Sequence, residues 1–120
     1  MTPIILIPFV KDLMLGSKFK ALEGDGFQLR WPNWNDPSEG IDPEKTVIVV
    51  DCNLSSPDPK MLISACREAY PDIPIIGFVS HVDVASQQAA LAAGATVVCP
   101  RSKFFSRQMP DLLRTYVKES

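Results

Sequence analysis

Between Thr46 and Val50 the chain reads Thr-Val-Ile-Val-Val. It then meets Asp51 and the turn formers Asn53, Ser55, Ser56 and Pro57. Four consecutive β-branched apolar residues without polar alternation suit a strand buried on both faces, as in a parallel sheet lying between two helix layers. In open sheets of this kind the functional crevice lies beyond the carboxyl ends of the strands, and Asp51 stands at that lip. The local sequence leaves two roles open for Asp51. It is either a site carboxylate, or a turn residue that only accepts hydrogen bonds from loop amides.

The rest of the chain alternates around this strand. Residues 4–9 form another continuous apolar run, a first strand. A helix is expected over 11–23, where Leu15, Phe19 and Leu22 fall on one face and Gly24 and Gly26 supply the stop. Residues 27–31 alternate as a short, less covered strand. Residues 32–45 carry Pro32, Pro37 and Pro43, which leaves room for little more than one helical turn; Trp34 and Ile41 are expected to pin this segment to the body. After the strand at 46–50, Asp58 is placed to cap a helix with Pro59 at its first position. Residues 75–79 read as a fourth strand, and 84–93 as an alanine-rich helix capped by Asp83 and stopped by Gly94. A fifth strand is expected at 96–99, and a last helix starts near Pro110, with Ser106 as an earlier competing cap. Strand and helix thus alternate five times with the second helix short or missing. This implies one α/β domain over 1–120, with a parallel sheet and helices on both faces.

A chain of 120 residues with 46% hydrophobic and 22% charged content is large enough for a core of its own. Its net charge of −2 argues against a dedicated nucleic-acid binder, although Arg101, Lys103 and Arg107 lie close together. No apolar run approaches a membrane span, and the opening run lacks a basic leader and cleavage site, so a cytoplasmic, membrane-free chain is expected. Cys52, Cys66 and Cys99 match no zinc spacing and are expected to be buried free thiols.

Three loops are expected to meet at the carboxyl edge: Asp51 after strand 3, Ser80-His81 after strand 4, and Pro100-Arg101-Ser102-Lys103 after strand 5. Here the whole chain resembles the receiver domain of two-component response regulators. Asp51-Cys-Asn-Leu-Ser-Ser-Pro-Asp58 is similar to the phosphoacceptor loop, Ile73 to Ser80 to the fourth strand with its switch hydroxyl, and Ala93-Gly-Ala-Thr-Val-Val-Cys-Pro-Arg101 to the approach to strand 5 and its lysine. The resemblance implies a doubly wound, CheY-like sheet of order 2-1-3-4-5. It also implies Asp51 at the phosphoacceptor position, Ser80 and Arg101 at the switch and phosphate-contact positions, and Asn53 where a backbone carbonyl helps bind metal.

The departures from that pattern are specific. Where receivers carry an acidic pair that holds Mg²⁺, this chain has Ile7-Pro8-Phe9-Val10, and the nearest acid is Asp12, expected at the start of helix 1. Mg²⁺ demands several oxygen ligands in octahedral geometry, so no metal site and no cofactor are expected beyond weak Mg²⁺ binding. The lysine position holds Arg101, which binds anions bidentately rather than as a point charge. The switch threonine falls on Val79, with Ser80 one place later, and the switch aromatic on Val98. Arg101 has two roles open to it: an ion pair with Asp51 that closes the pocket, or binding of a weak anionic ligand at Asp51 and Arg101. His81, the only histidine, either titrates as a switch or simply hydrogen-bonds Asp51 or a loop carbonyl.

The resemblance therefore implies an atypical receiver: a stand-alone, non-enzymatic signalling module that docks on a partner protein. The alternative is a working phosphoacceptor, phosphorylated on Asp51 by a partner histidine kinase with Asp12 or water completing a metal shell. A small enzyme using Asp51, Ser80 and His81 matches no catalytic motif. Receivers commonly pair or dock through helix 4, strand 5 and helix 5. Here that face (the helix at 84–93, strand 5 and the last helix) includes Gln87, Gln88, Phe104, Phe105 and Tyr116 and is the expected place for a homodimer; Phe104-Phe105 suits a partner contact and packing under the last helix equally well. No DNA-binding segment follows Ser120, so direct transcriptional output is not expected.

Overall fold

The computed structural model describes residues 3–80 and 83–117. In chain order the elements are β1 (Ile4–Phe9), α1 (Leu13–Lys20), β2 (Phe27–Leu29), β3 (Thr46–Asp51), α2 (Pro59–Ala69), β4 (Ile75–Val79), α3 (Val84–Ala93), β5 (Val97–Pro100), the single turn α4 (Arg101–Phe104) and α5 (Met109–Tyr116). The strands form one parallel sheet of order β2-β1-β3-β4-β5, the doubly wound order that the sequence pattern implies.

The apolar runs are explained by what covers them. Along β3, Ile48 and Val50 face a core shared with Leu62, Ile63 and Cys66 of α2 and Ala90 of α3. Val47 and Val49 face a second core with Leu15 and Phe19 of α1 and Leu113 of α5. A strand clad on both sides has no wet face and so no polar alternation. The central strands therefore hold Asp51, itself half-buried, at the end of a fully buried segment.

Several boundaries differ from the sequence expectation. α1 begins after Lys11 because the Asp12 carboxylate caps it, accepting from the Met14 and Leu15 amides at 2.8 and 3.3 Å. It ends at Lys20, where a tighter turn from Leu22 N–H to the Phe19 carbonyl takes over before Gly24 turns the chain at φ +90°. β2 stops at Leu29, since Trp31 precedes Pro32 and belongs to the irregular segment. β5 starts one residue late because the Thr96 hydroxyl bonds the Ile75 amide and Arg67 instead. α5 begins at Met109, which puts Pro110 in its first turn.

No helix forms between β2 and β3. Instead Trp34 meets Phe9 edge-on at 5.4 Å, Ile41 is buried, and the Arg30 guanidinium donates to the Glu39 and Gly40 carbonyls. The Tyr70 hydroxyl reaches the Ser38 carbonyl at 2.8 Å. The pinning roles expected of Trp34 and Ile41 are as observed.

α4 was not expected, and it changes the role of its aromatics. Phe104 stacks on Phe78 at 5.4 Å and is fully buried, while Phe105 meets Phe19 and Phe78 edge-on. Phe104 is therefore core rather than part of a partner-facing surface. The three cysteines are free and buried, as the sequence suggested.

Candidate functional site

Asp51 is the last residue of β3, half-buried at the sheet's carboxyl edge. Its Oδ1 accepts the Asn53 amide at 2.9 Å, the local bond expected of a turn aspartate. Burial pushes its pKa above the ordinary value; the Asn53 amide and the charge of Arg101 pull it down, and Asp12 pushes it up. Asn53 then bridges two loops: its side-chain Oδ1 accepts from the Ser80 amide at 2.6 Å and the Ser80 hydroxyl at 3.0 Å. Ser80 lies just beyond β4, outside the alternation of the strand, and Val79 before it is buried in the α2/α3 core. The Ser80 hydroxyl is thus engaged by Asn53. His81 lies outside the described residues.

Arg101 opens α4, and its partner is not the expected one. Its Nη2 lies 4.0 Å from Asp12 Oδ2, both side chains nearly half exposed, and no ion pair joins it to Asp51. The reason is local. Capping α1 fixes Asp12 with its second oxygen turned outward, whereas the Asp51 carboxylate is half-buried and already bonded to Asn53. The Arg101–Asp12 contact is long and exposed, so it contributes only about 0–1 kcal/mol. Arg101 still acts on Asp51 through its charge.

At the end of β1, Phe9 is 0% and Val10 7% exposed, one in each core. Lys11 follows, and sequence reasoning passed over it. Its ammonium donates to the Ser56 carbonyl at 2.6 Å and sits 5.1 Å from the Trp34 ring centroid. The signal was legible as a cation directly after a strand end that lacks acids. This edge of the sheet is therefore tied together by a lysine, a tryptophan and backbone carbonyls.

The residues present do not fit a magnesium ion, which needs about six oxygens in tight geometry. Asp51 offers one carboxylate with an oxygen already engaged. Asp12 divides its oxygens between the α1 amides and Arg101, and Phe9 and Val10 offer none. Among the described residues no group of three or more His, Cys, Asp or Glu could hold a metal ion. Beside Asp51, the Cys52 thiol is pushed up to about 12 by burial and by the Asp51 charge, and so stays protonated.

A cavity of about 570 Å³ opens next to this edge, between α1 and α4. Asp12, Ser80 and Arg101 all line it; Asp51 does not. The edge thus divides into a half-buried acidic niche at Asp51 and a wider cleft on the other side of Arg101.

No family model and no curated protein matches this sequence. Solved structures do. The chain superposes on FixJ-N with a TM-score of 0.78 at 16% identity, over 98% of this chain and 94% of that one. It superposes on the non-phosphorylated HemR receiver domain from Leptospira biflexa with a TM-score of 0.73 at 18% identity, over 99% and 97%. A CheY-like response regulator receiver domain protein from Methanospirillum hungatei JF-1 gives 0.73 at 16% identity, over 100% of both chains. The fold is that of the CheY-like receiver domain. At these identities the likeness is one of fold.

Proposed function

We propose that this receiver-fold chain is an atypical receiver, a signalling module that works by docking on a partner protein and not by metal-assisted phosphoryl transfer to Asp51. The observation that carries this reading is the burial of Phe9 and Val10 where the receiver pattern places its acidic pair. Charge on a transferring phosphoryl group has to be neutralised, and receivers use a divalent ion for it. Here that place is filled by hydrophobic core. Asp51 keeps the strand-end position, but among the described residues the Arg101 guanidinium is the cation that bears on it. In this reading the protein needs no cofactor, is not itself an enzyme and acts in the cytoplasm.

The partner is a signalling protein, with a histidine kinase or a downstream effector as the two candidates. A second copy of the chain is a further candidate for the α3–β5–α5 face. That face keeps Gln88, Val84 and Leu91 exposed, although Phe104 has been withdrawn into the core.

The test is addition of beryllofluoride or acetyl phosphate with Mg²⁺, followed by tryptophan fluorescence and amide NMR spectra. The amide resonances of Asp51, Cys52 and Asn53 should show no Mg²⁺-dependent change. Saturable binding like that of ordinary receivers, or phosphoryl labelling that Asp51→Asn abolishes, would replace this reading with that of a working phosphoacceptor on Asp51.

A further inference from the structure

The cleft between α1 and α4 has a rigid apolar floor. Leu15 is buried beneath it, and the Phe105 ring is held edge-on by Phe19, Phe78 and Phe104 at 5.4, 5.1 and 4.9 Å. Its rim is cationic: the Lys18 ammonium stands 5.9 Å from the Phe105 ring centroid, and the Arg101 guanidinium faces it from α4. Among the described residues Arg101 makes no side-chain hydrogen bond; its one ion-pair contact is the long one with Asp12, and it bears on Asp51 only through its charge. A planar fork of five N–H donors above an apolar floor suits bidentate capture of an oxyanion. Asp12 is the one carboxylate in the lining, and its Oδ1 is already engaged by two α1 amides. The lining therefore carries two cations against one carboxylate. About 570 Å³ lies within the range of small-molecule sites, roughly 300–1,000 Å³.

We propose that this cleft binds a small organic anion: a carboxylate or phosphate head on a flat apolar body, the head held by Arg101 and Lys18 and the body lying on Phe105 and Leu15. Asp51 does not line the cleft, so the site is distinct from the phosphoacceptor position, and the proposal stands whether or not Asp51 can be phosphorylated. Because Arg101 also bears on Asp51, an occupant would change the charge that the strand-end carboxylate experiences. That gives the fold a non-covalent input.

The experiment is an amide NMR titration of the full chain with 2-naphthoate and 1-naphthyl phosphate, with neutral 2-naphthamide as control. Saturable shifts are expected at Lys18, Ser80, Ser102 and Phe105, with a Kd of about 1 mM or tighter for the better head group, the value that ordinary ligand efficiency gives a probe of this size. The two charged probes distinguish a carboxylate site from a phosphate site. Arg101→Gln should weaken binding by about tenfold or more, the loss of one charge-assisted bidentate pair. Lys18→Gln should weaken it less. Asp12→Asn keeps the helix cap and removes the competing charge, so it should tighten binding. Asp51→Asn should not weaken binding and should tighten it slightly, because the coupling between Arg101 and Asp51 is reciprocal. Equal binding of the amide, shifts centred elsewhere, indifference to Arg101→Gln, weaker binding with Asp12→Asn, or loss of binding with Asp51→Asn would each overturn the proposal. Far-UV circular dichroism and amide dispersion check that each surface variant is folded.

Discussion

An acid placed at position 9 asks whether the end of β1 can serve a metal without giving up the core. The Phe9 ring is wholly buried with Ile48, Val50, Leu62 and Ile63, and it holds Trp34 edge-on at 5.4 Å. Deleting a buried phenylalanine ring costs about 3–5 kcal/mol. An unpaired buried carboxyl group adds about 1–3 kcal/mol. Phe9→Asp should therefore lose about 4–8 kcal/mol, against a whole-domain stability of about 6–18 kcal/mol for a chain of this length. Trp34 would also lose its seat, and with it the ring beside the Lys11 ammonium. Urea unfolding followed by tryptophan fluorescence and far-UV circular dichroism measures the loss. Phe9→Leu serves as an apolar control and should cost less than Phe9→Asp, about 1–3 kcal/mol, because it keeps much of the buried apolar volume and buries no carboxyl group. Phe9→Asp should be unfolded or have its midpoint lowered by at least about a fifth, with millimolar Mg²⁺ giving no recovery. A Phe9→Asp protein within about 1 kcal/mol of wild type, a small fraction of what a buried ring contributes, would refute this reasoning. So would one that Mg²⁺ restores, because either result would mean that position 9 tolerates a carboxylate beside Asp51.

Three further outcomes follow from the same packing. Arg67 donates from Nε to the Gly94 carbonyl at 2.9 Å and from Nη1 to the Pro71 and Ile73 carbonyls at 2.9 and 2.7 Å, joining the end of α2 to two loops. Arg67→Met keeps most of the stem but loses these bonds and should cost about 2–4 kcal/mol in urea unfolding; a loss under about 0.5 kcal/mol, no more than an ordinary surface change, would show the hub to be ornamental. The Thr46 hydroxyl is buried with no hydrogen-bond partner among the described residues, so Thr46→Val should stabilise by about 1–2 kcal/mol and raise Tm by about 4–8 °C. A lower Tm would mean that the hydroxyl is satisfied after all. Burial raises the Asp51 pKa above 3.8, so as pH rises the unfolded chain gives up this proton before the native one does. The stabilising effect of that shift is complete below the unfolded pKa and is lost as pH climbs through the native value. Asp51→Asn should therefore compare more favourably with wild type at pH 7 than at pH 3, in urea midpoints measured at both; the opposite trend would show that the ionised carboxylate is the better-held form.

The elements that could be read from the chain are those whose signals are local. β1 and β4 are unbroken apolar runs, α3 lies between the Asp83 cap and Gly94, and Asp58-Pro59 starts α2 as capping chemistry requires. What could not be read depends on contacts distant in sequence. Residues 101–104 are too short to show a helical period; α4 exists because Phe104 finds the Phe78 ring, which only the finished sheet brings near. The same fact decides between the two roles open to Phe104, partner contact and core, in favour of the core. The late start of β5 depends on Arg67 and the Ile75 amide, which draw the Thr96 hydroxyl out of the strand's own pattern.

The site divides in the same way. That Asp51 ends a strand and that Asp12 starts a helix were legible, because a buried run and a capping residue declare themselves locally. Which acid Arg101 would meet was not, since it depends on how much freedom each carboxylate retains. A cap holds Asp12 against two amides and leaves one oxygen facing outward, so it presents a fixed target; Asp51 pays part of its hydration to be half-buried and spends its accessible oxygen on Asn53. In the reading of this chain as an atypical receiver, the apolar end of β1 and Arg101 belong together: Phe9 and Val10 give the end of β1 to the core, and the forked side chain of Arg101 lines the cleft beside α1, 4.0 Å from Asp12, while acting on Asp51 through its charge alone.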